Sequence, residues 1–352
     1  MDFALSETQQ LLSDSATDFF SRQVDAVRLR EMAQGHQYDA ALWRALAGQG
    51  WLGLGFESGA ASNLAEQALV AEAAGYAAAP VPYTDTVSAL AALAGWPAAA
   101  ATRTAVMSGD RILAVVDSRE DFTATGGGET RRLSGAAARV PYGRVADAFV
   151  VLTTDEGGAM LHLVDASAAG VQRRDRDSMA YDASASLTLQ EVDAPSVAMS
   201  AEALEDWLLR RAVCAAAEAV GAARRSVELA VDYAMNRVQF GRPIGAFQAV
   251  QHPCADMALG LDGARFALRE AAWAVDEGPD GVEDAAAVAH SALAYAHKAL
   301  LHITANSHEV FGGVGFFVEH DLHYYTRRIA SDLAVMGPAS GHLEAVADAA
   351  GI

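Results

Sequence analysis

Lysine is almost missing from this chain: Lys298 is the only one among 352 residues, and the rest of the 25 basic side chains are arginine, against 45 acidic ones. The resulting net charge of −20 repels phosphate backbones on average, which argues against a nucleic-acid partner. A local basic pocket for a single nucleotide stays open. Cysteine is also scarce. Cys214 and Cys254 lie in helix-like apolar context at no metal-ligand or disulfide-framework spacing, which fits a reducing cytoplasm. Long apolar runs are lacking too. The stretch Val87 to Ala101 is broken by Ser88, Gly95 and Pro97 and falls short of the ~20 residues that a membrane span needs, so no membrane partner is expected. Met1-Asp2-Phe3 carries an acid where a secretory signal carries bases, so no export segment is expected. What the chain has in quantity is apolar residue, 52% against 20% charged, enough to bury a sizeable core and to exclude intrinsic disorder.

The periodicity changes twice. Ser6 with Gln9 reads as a capping box, and Leu12, Ala16, Phe19 and Phe20 follow at helical spacing. Further helices are expected at Ala40 to Gln49, at Leu64 to Gly75 and before Gly95, with Trp51 to Phe56 as a turn and a short extended segment. From Ser108-Gly-Asp110 the pattern shifts to short Val, Leu and Thr runs. Strands are predicted at Ile112 to Val116, Ala137 to Val140, Ala148 to Leu152, Leu161 to Val164 and Ala185 to Leu189, forming a small antiparallel sheet that ends near Pro195. From Ala201 helices return and lengthen. Val213, Val220, Val227 and Ala234 recur every seven residues, as along a bundle seam, and three more helices are predicted at Phe247 to Asp276, Val282 to Phe311 and Leu322 to Val335. The order predicts an α+β chain: a helical N-terminal domain (1–103), a middle antiparallel β domain (104–197) and a C-terminal four-helix bundle (198–352).

One segment stands out chemically, Arg237-Val-Gln239-Phe240-Gly-Arg-Pro-Ile-Gly-Ala-Phe247-Gln248. A helix end with an arginine and a glutamine, a glycine-proline turn and a new helix opening on an aromatic and another glutamine can hold a pyrophosphate and press an adenine against Phe240. A solvated helix-helix turn whose arginine pairs with a surface carboxylate is the plainer alternative.

The run R-x-Q-F-G-x-P-I-x-x-F-Q from Arg237 to Gln248, followed by Ala255-Asp-Met257, resembles the C-terminal domain of acyl-CoA dehydrogenases. Phe311-Gly312-Gly313-Val-Gly-Phe316 is similar to that family's second glycine signature, and Leu133-Ser-Gly135 and Val145-Ala-Asp147 match it in the middle sheet. The resemblance implies FAD, an acyl-CoA thioester substrate, α,β-dehydrogenation and an electron-transferring flavoprotein as acceptor. It also implies that Arg237, Gln239, Phe240, Phe247, Gln248, Gly312 and Gly313 hold the ADP part of a flavin shared with a neighbouring subunit.

Three departures qualify this. The family's glutamate base sits either in a turn that corresponds to Ala334 to Pro338 or in a step that corresponds to Leu209-Arg-Arg211, and neither holds a carboxylate. No catalytic residue is therefore assigned. Ala114 to Asp121 lacks the family's flavin-covering Gly-Ser-Asp, and Glu309 replaces a glutamine ahead of the glycine turn. Retained cofactor-lending residues beside missing chemistry resemble the non-catalytic subunits of heteromeric steroid side-chain acyl-CoA dehydrogenases, with two of each chain expected. The alternatives are a self-sufficient homotetramer with a relocated base and a flavin-free assembly subunit. Glu205, Asp206 and Glu344 are expected on solvated faces. Glu218 is expected to be buried beside Arg224 or Arg225, with Arg237 as a partner only if the fold brings it there. His302, His308, His320 and His323 read as helix-end histidines rather than a metal site. Arg173 to Ser178 reads as a solvated surface or a salt-bridged loop, with contact to a CoA phosphate as the lesser alternative.

Overall fold

The computed structural model describes residues 5–352 apart from 36–37, 57–62, 119–120, 156, 279–281 and 283. The export reading of Met1 to Phe3 and part of the altered flavin-cover segment thus lie outside the described residues. Six helices come first: α1 (Glu7–Gln23), α2 (Ala26–Gln34), α3 (Ala40–Ala47), α4 (Leu64–Tyr76), α5 (Tyr83–Ala92) and α6 (Ala100–Met107). Seven strands follow: β1 (Leu113–Val116), β2 (Phe122–Thr125), β3 (Thr130–Val140), β4 (Ala148–Asp155), β5 (Gly158–Asp165), β6 (Val171–Asp175) and β7 (Ala185–Met199). Then come α7 (Ala201–Asn236), the short strands β8 (Val238–Gln239) and β9 (Arg242–Pro243), α8 (Gln248–Glu277), α9 (Ala285–Phe311), α10 (Leu322–Met336) and α11 (Ala339–Ala350). The helical, sheet and helical order predicted from periodicity is what the chain adopts.

Packing groups the chain into two compact units, one of Met1–Val27, Leu64–Ala79 and Leu209–Ile352, the other of Arg28–Asn63 and Pro80–Leu208. In the second unit the strands run β1-β4-β5-β7-β3-β2, with β6 also on β7. Pairing is antiparallel except between β1 and β4, whose strands run parallel. Both faces are buried. Phe149 and Val151 of β4 join Phe122, Leu133, Leu187 and Leu189 on one face, while Val150 and Leu152 join Leu113, Leu161, the α5 residue Leu90 and Trp207 on the other. A strand covered on both sides has no polar alternation, which is why Ala148 to Leu152 reads as a continuous apolar run. Trp207 is fixed by its indole N–H, which donates to the Ser88 carbonyl at 2.8 Å.

Two expectations fail here. The turn expected from Trp51 forms, as a 3₁₀ turn over Trp51–Gly53 with Trp51 and Leu52 buried, but the extended segment expected after it does not, and residues 54–56 continue as turn. Arg173 to Asp175 is solvated as expected, but it belongs to β6 rather than to a loop. An edge strand with four exposed residues in a row carries charge freely, so its sequence looks like solvated coil.

The first unit is built of helices, α1 against α4, α4 against α8, α8 against α9 and α11 against α9. The capping box at α1 is formed as predicted, Ser6 Oγ accepting from Gln9 N at 3.2 Å and Gln9 Oε1 from Ser6 N at 3.1 Å. The tightest crossing is α4 on α7. A Cβ at Gly75 would stand 1.8 Å from the Glu218 carbonyl oxygen, and one at Gly221 would stand 1.9 Å from that of Glu72. Each helix presents a glycine to the other's backbone. Beside this crossing Glu218 is buried, but its partner is neither Arg224, Arg225 nor Arg237: Arg328 of α10 binds it at 2.8 Å and also donates to the Ala79 carbonyl at 3.1 Å. Arg224 and Arg225 turn instead to Glu228, three and four residues along their own helix.

Candidate functional site

The helix α7 stops at Asn236, and β8 and β9 pair Val238 with Pro243 and Gln239 with Arg242. Phe240 and Gly241 are thereby the two loop residues of a hairpin, with φ of +52° and +79°. Positive φ at both positions is the type I′ signature, and glycine adopts it freely while a phenylalanine is strained by it. The strain brings no burial, for the Phe240 ring is 93% exposed. Arg237 is exposed as well. Its backbone N–H donates to the Tyr233 carbonyl at 2.8 Å and its own carbonyl accepts from Ile244 N at 2.8 Å, which seats the hairpin on the end of α7. Gln239 is exposed, its amide nitrogen donating to the Val238 carbonyl at 2.7 Å. Phe247 lies just ahead of α8, its ring edge-on to Phe240 at 6.0 Å and covered by the Arg242 guanidinium at 4.1 Å. Gln248 opens α8 and is exposed.

The glycine turn lies at the end of α9, where Gly312 has φ +61°. A Cβ added at Gly312 or Gly313 would meet nothing within 4 Å, whereas one at Gly315 would stand 2.8 Å from Phe311 Cβ. Packing within the chain accounts for Gly315 and leaves Gly313 unexplained. Glycine without a Cβ lets a ligand approach the backbone closely there.

Aromatic stacking joins the two segments. Tyr233, one turn before Arg237, stacks on Phe311 at 4.4 Å and 19°, and His320 meets both rings edge-on at 6.3 and 5.5 Å. The predicted corner and the predicted glycine turn, some seventy residues apart in sequence, are therefore neighbours. Tyr233 was not legible as part of this region, since an aromatic at helical spacing looks like core. His308 stacks on Phe316 at 4.7 Å and bonds Thr326 Oγ1 at 3.2 Å, and His323 Nε2 donates to the Val318 carbonyl at 3.3 Å. Burial holds both imidazoles below the usual histidine pKa. Glu309 is exposed on the last turn of α9.

At the two places where a base was sought, Met336 is buried ahead of Gly337 (φ +88°), Arg210 binds Asp276 at 2.9 Å and Arg211 is buried. Glu205, Asp206 and Glu344 are exposed, and Glu218 is committed to Arg328.

A three-part helix, sheet and helix chain whose last part pairs an Arg-Gln-Phe-Gly hairpin with a bare glycine turn defines a class, the acyl-CoA dehydrogenase fold. Residues 6–103 match the family model described as acyl-CoA dehydrogenase, N-terminal domain, and residues 203–351 match acyl-CoA dehydrogenase, C-terminal domain. Among curated relatives, the acyl-CoA dehydrogenase FadE27 of Mycobacterium tuberculosis is 30% identical, with 98% of each chain covered. IpdE2 of the same organism is also 30% identical, over 92% of this chain and 91% of that one. Among solved structures, the ChsE4-ChsE5 complex from M. tuberculosis superposes with a TM-score of 0.89 at 29% identity, covering 99% of this chain and 98% of that one. A variant of the Tcur3481-Tcur3483 steroid ACAD gives 0.87 at 30% identity over 97% of each. The chain belongs to the acyl-CoA dehydrogenase family. Membership supports oxidoreductase chemistry with FAD as cofactor. No helix among the described residues is long and apolar enough to cross a membrane.

Proposed function

We propose that this chain is the cofactor-lending, non-catalytic subunit of a heteromeric FAD-dependent acyl-CoA dehydrogenase. The observation that carries the reading is Phe240: a strained and bare aromatic beside an exposed Arg237, joined by the Tyr233–Phe311 stack to Gly312 and Gly313, where an added Cβ would meet none of the described residues within 4 Å. These features fit the ADP part of FAD. Arg237 and the backbone at Gly312 and Gly313 would meet the pyrophosphate, Phe240 and Phe247 the adenine, and Gln239 and Gln248 the ribose and phosphate oxygens. Bound flavin supplies hydride acceptance from the β carbon of an acyl thioester, and the α proton leaves to a carboxylate. This chain offers no carboxylate at either family position, so the partner subunit supplies the base. Glu309 turns away from the anion or pairs with a cation, since a free carboxylate facing a pyrophosphate raises its energy. Division at 103/104 and 197/198, a cytoplasmic location and an electron-transferring flavoprotein as acceptor belong to the same reading. The steroid side-chain class of substrate is supported by the naming of one similar structure as a steroid ACAD and by the two-chain naming of both.

The chain purified alone and together with its partner dehydrogenase, with visible spectra and subunit stoichiometry, tests this. Flavin held only by the pair, in equal subunit numbers, and lost with Arg237→Ala is the expected result. A yellow, active chain on its own makes it a self-sufficient homotetramer. A partner whose flavin is untouched by Arg237→Ala makes this chain an assembly subunit.

A further inference from the structure

Away from the hairpin and the glycine turn, the first unit contains a half-open cavity of about 540 Å³ lined by α4, α7, α8 and the start of the chain at Leu5 and Gln9. About 300–1,000 Å³ is the range of small-ligand clefts. Its walls are apolar, with Leu69 and Val220 opposite Leu268 and Trp273. Into this space project two arginines one turn apart on α8, where like charges repel. Their surroundings differ. Arg265 Nε stands 2.8 Å from Glu72 Oε1. Arg269 has no carboxylate within ion-pair distance among the described residues, and its Nε is buried without a hydrogen-bond partner. The face of Phe266 lies 5.8 Å from its guanidinium, and Glu72 acts on it electrostatically without pairing with it. Glu270, the remaining charged residue of the lining, also borders a second cavity beside Val282 and Tyr295 and so lies at the rim between the two.

We propose that this cavity is a binding site for an amphiphile with an apolar body and a single carboxylate head, the body lying against Leu69, Val220, Leu268 and Trp273 and the head bound by Arg269. A carboxylate supplies the acceptor that the Arg269 guanidinium lacks, and the fork of Arg269 takes it in two parallel bonds. Burial holds the Arg269 guanidinium below its usual pKa, which marks a cation short of solvation. Arg265 adds attraction without giving up Glu72. A neutral alcohol of equal length gains the apolar burial alone.

The probe is dodecanoate, with 1-dodecanol as the uncharged control, titrated calorimetrically into the full chain, alone and with its partner. Dodecanoate is expected to saturate one site per chain about tenfold more tightly than dodecanol, the worth of one hydrogen bond to a charged group. Arg269→Gln should bring dodecanoate down to the dodecanol level and leave dodecanol unchanged, while Ala68→Phe, which puts a ring into the space, should remove both with the circular dichroism spectrum intact. Equal binding of the two probes, no saturable binding, or indifference of dodecanoate to Arg269→Gln overturns the assignment. Should Ala68→Phe fail to fold, the Arg269→Gln comparison decides by itself.

Discussion

The α4–α7 crossing and the Arg237 to Gln248 hairpin belong to the same helical unit and obey opposite rules. At the crossing every unusual feature has a reason inside the chain: glycines because backbones touch, and a buried glutamate because Arg328 neutralises it. At the hairpin and the glycine turn beside it the unusual features have no internal reason. Phe240 is strained without being packed, and Gly313 is small without being crowded. The first region is built for folding, and the second is explained only by something that binds there. If this contrast holds, substitutions at the crossing cost stability, and substitutions at the hairpin cost binding alone.

The largest effect is expected at Glu218. Removing one member of a buried ion pair leaves the other charge uncompensated, and Glu218→Ala should destabilise by about 3–5 kcal/mol in urea unfolding. The double change Glu218→Leu with Arg328→Met should recover most of that loss, since an apolar pair of similar volume replaces both charges. A single variant as stable as the parent would show that Arg328 does not depend on Glu218. Next comes Gly221→Ala. Its methyl group would sit 1.9 Å from the Glu72 carbonyl oxygen, so the helices must part, at a cost of about 3 kcal/mol by the upper range for overpacking. Thermal unfolding checks this, and an unchanged midpoint would mean that the crossing is looser than its geometry.

Much of this was legible in the sequence. Long periodic helices, the change to short strands at Ser108 and the return at Ala201 follow from patterning, and the hairpin corner and glycine turn were recognised by their residues. The failures share a physical cause. β6 was misread because an edge strand carries the charges of a loop, and β1 pairs parallel with β4, a partner that local pattern does not name. Arg328 lies 110 residues from Glu218, so spacing on α7 pointed to Arg224 and Arg225 and tertiary packing chose otherwise. The stack that joins Tyr233 to Phe311 was invisible for the same reason.

Acid acts on the same helical unit through histidines outside the crossing and the hairpin. Burial holds the imidazoles of His308, His323 and His342 below the usual histidine value. His342 is locked further, its Nε2 donating to the Met336 carbonyl at 2.9 Å and its Nδ1 facing His290 Nδ1 at 2.9 Å, a pair that cannot accept two charges cheaply. A histidine with a depressed folded-state pKa takes up its proton first in the unfolded chain. Stability is therefore full above about pH 6.5 and falls as the pH drops below it. Asp165, held down to about 2 by the Ser167 hydroxyl and backbone and by Arg111, stays ionised throughout this window and contributes no slope. Urea midpoints at pH 7.5, 6.5 and 5.5 should decline in order, and His342→Gln should flatten the decline. A midpoint that rises towards pH 5.5 would reverse the sign.

The smallest effect is the most discriminating, because it runs the other way. Asparagine tolerates the left-handed backbone that Phe240 endures, and the Phe240 ring buries almost nothing in the isolated chain. Phe240→Asn should therefore stabilise the isolated chain, by about 1 kcal/mol if the relieved strain is of the usual size. In the assembled enzyme the same change removes the aromatic surface proposed for the adenine, so flavin retention after gel filtration should fall while folding improves. A residue kept for structure alone would move both measurements together. Opposite signs would mean that the hairpin is held in a strained state for a ligand, and a loss of stability in the isolated chain would mean that its reason lies within the chain after all.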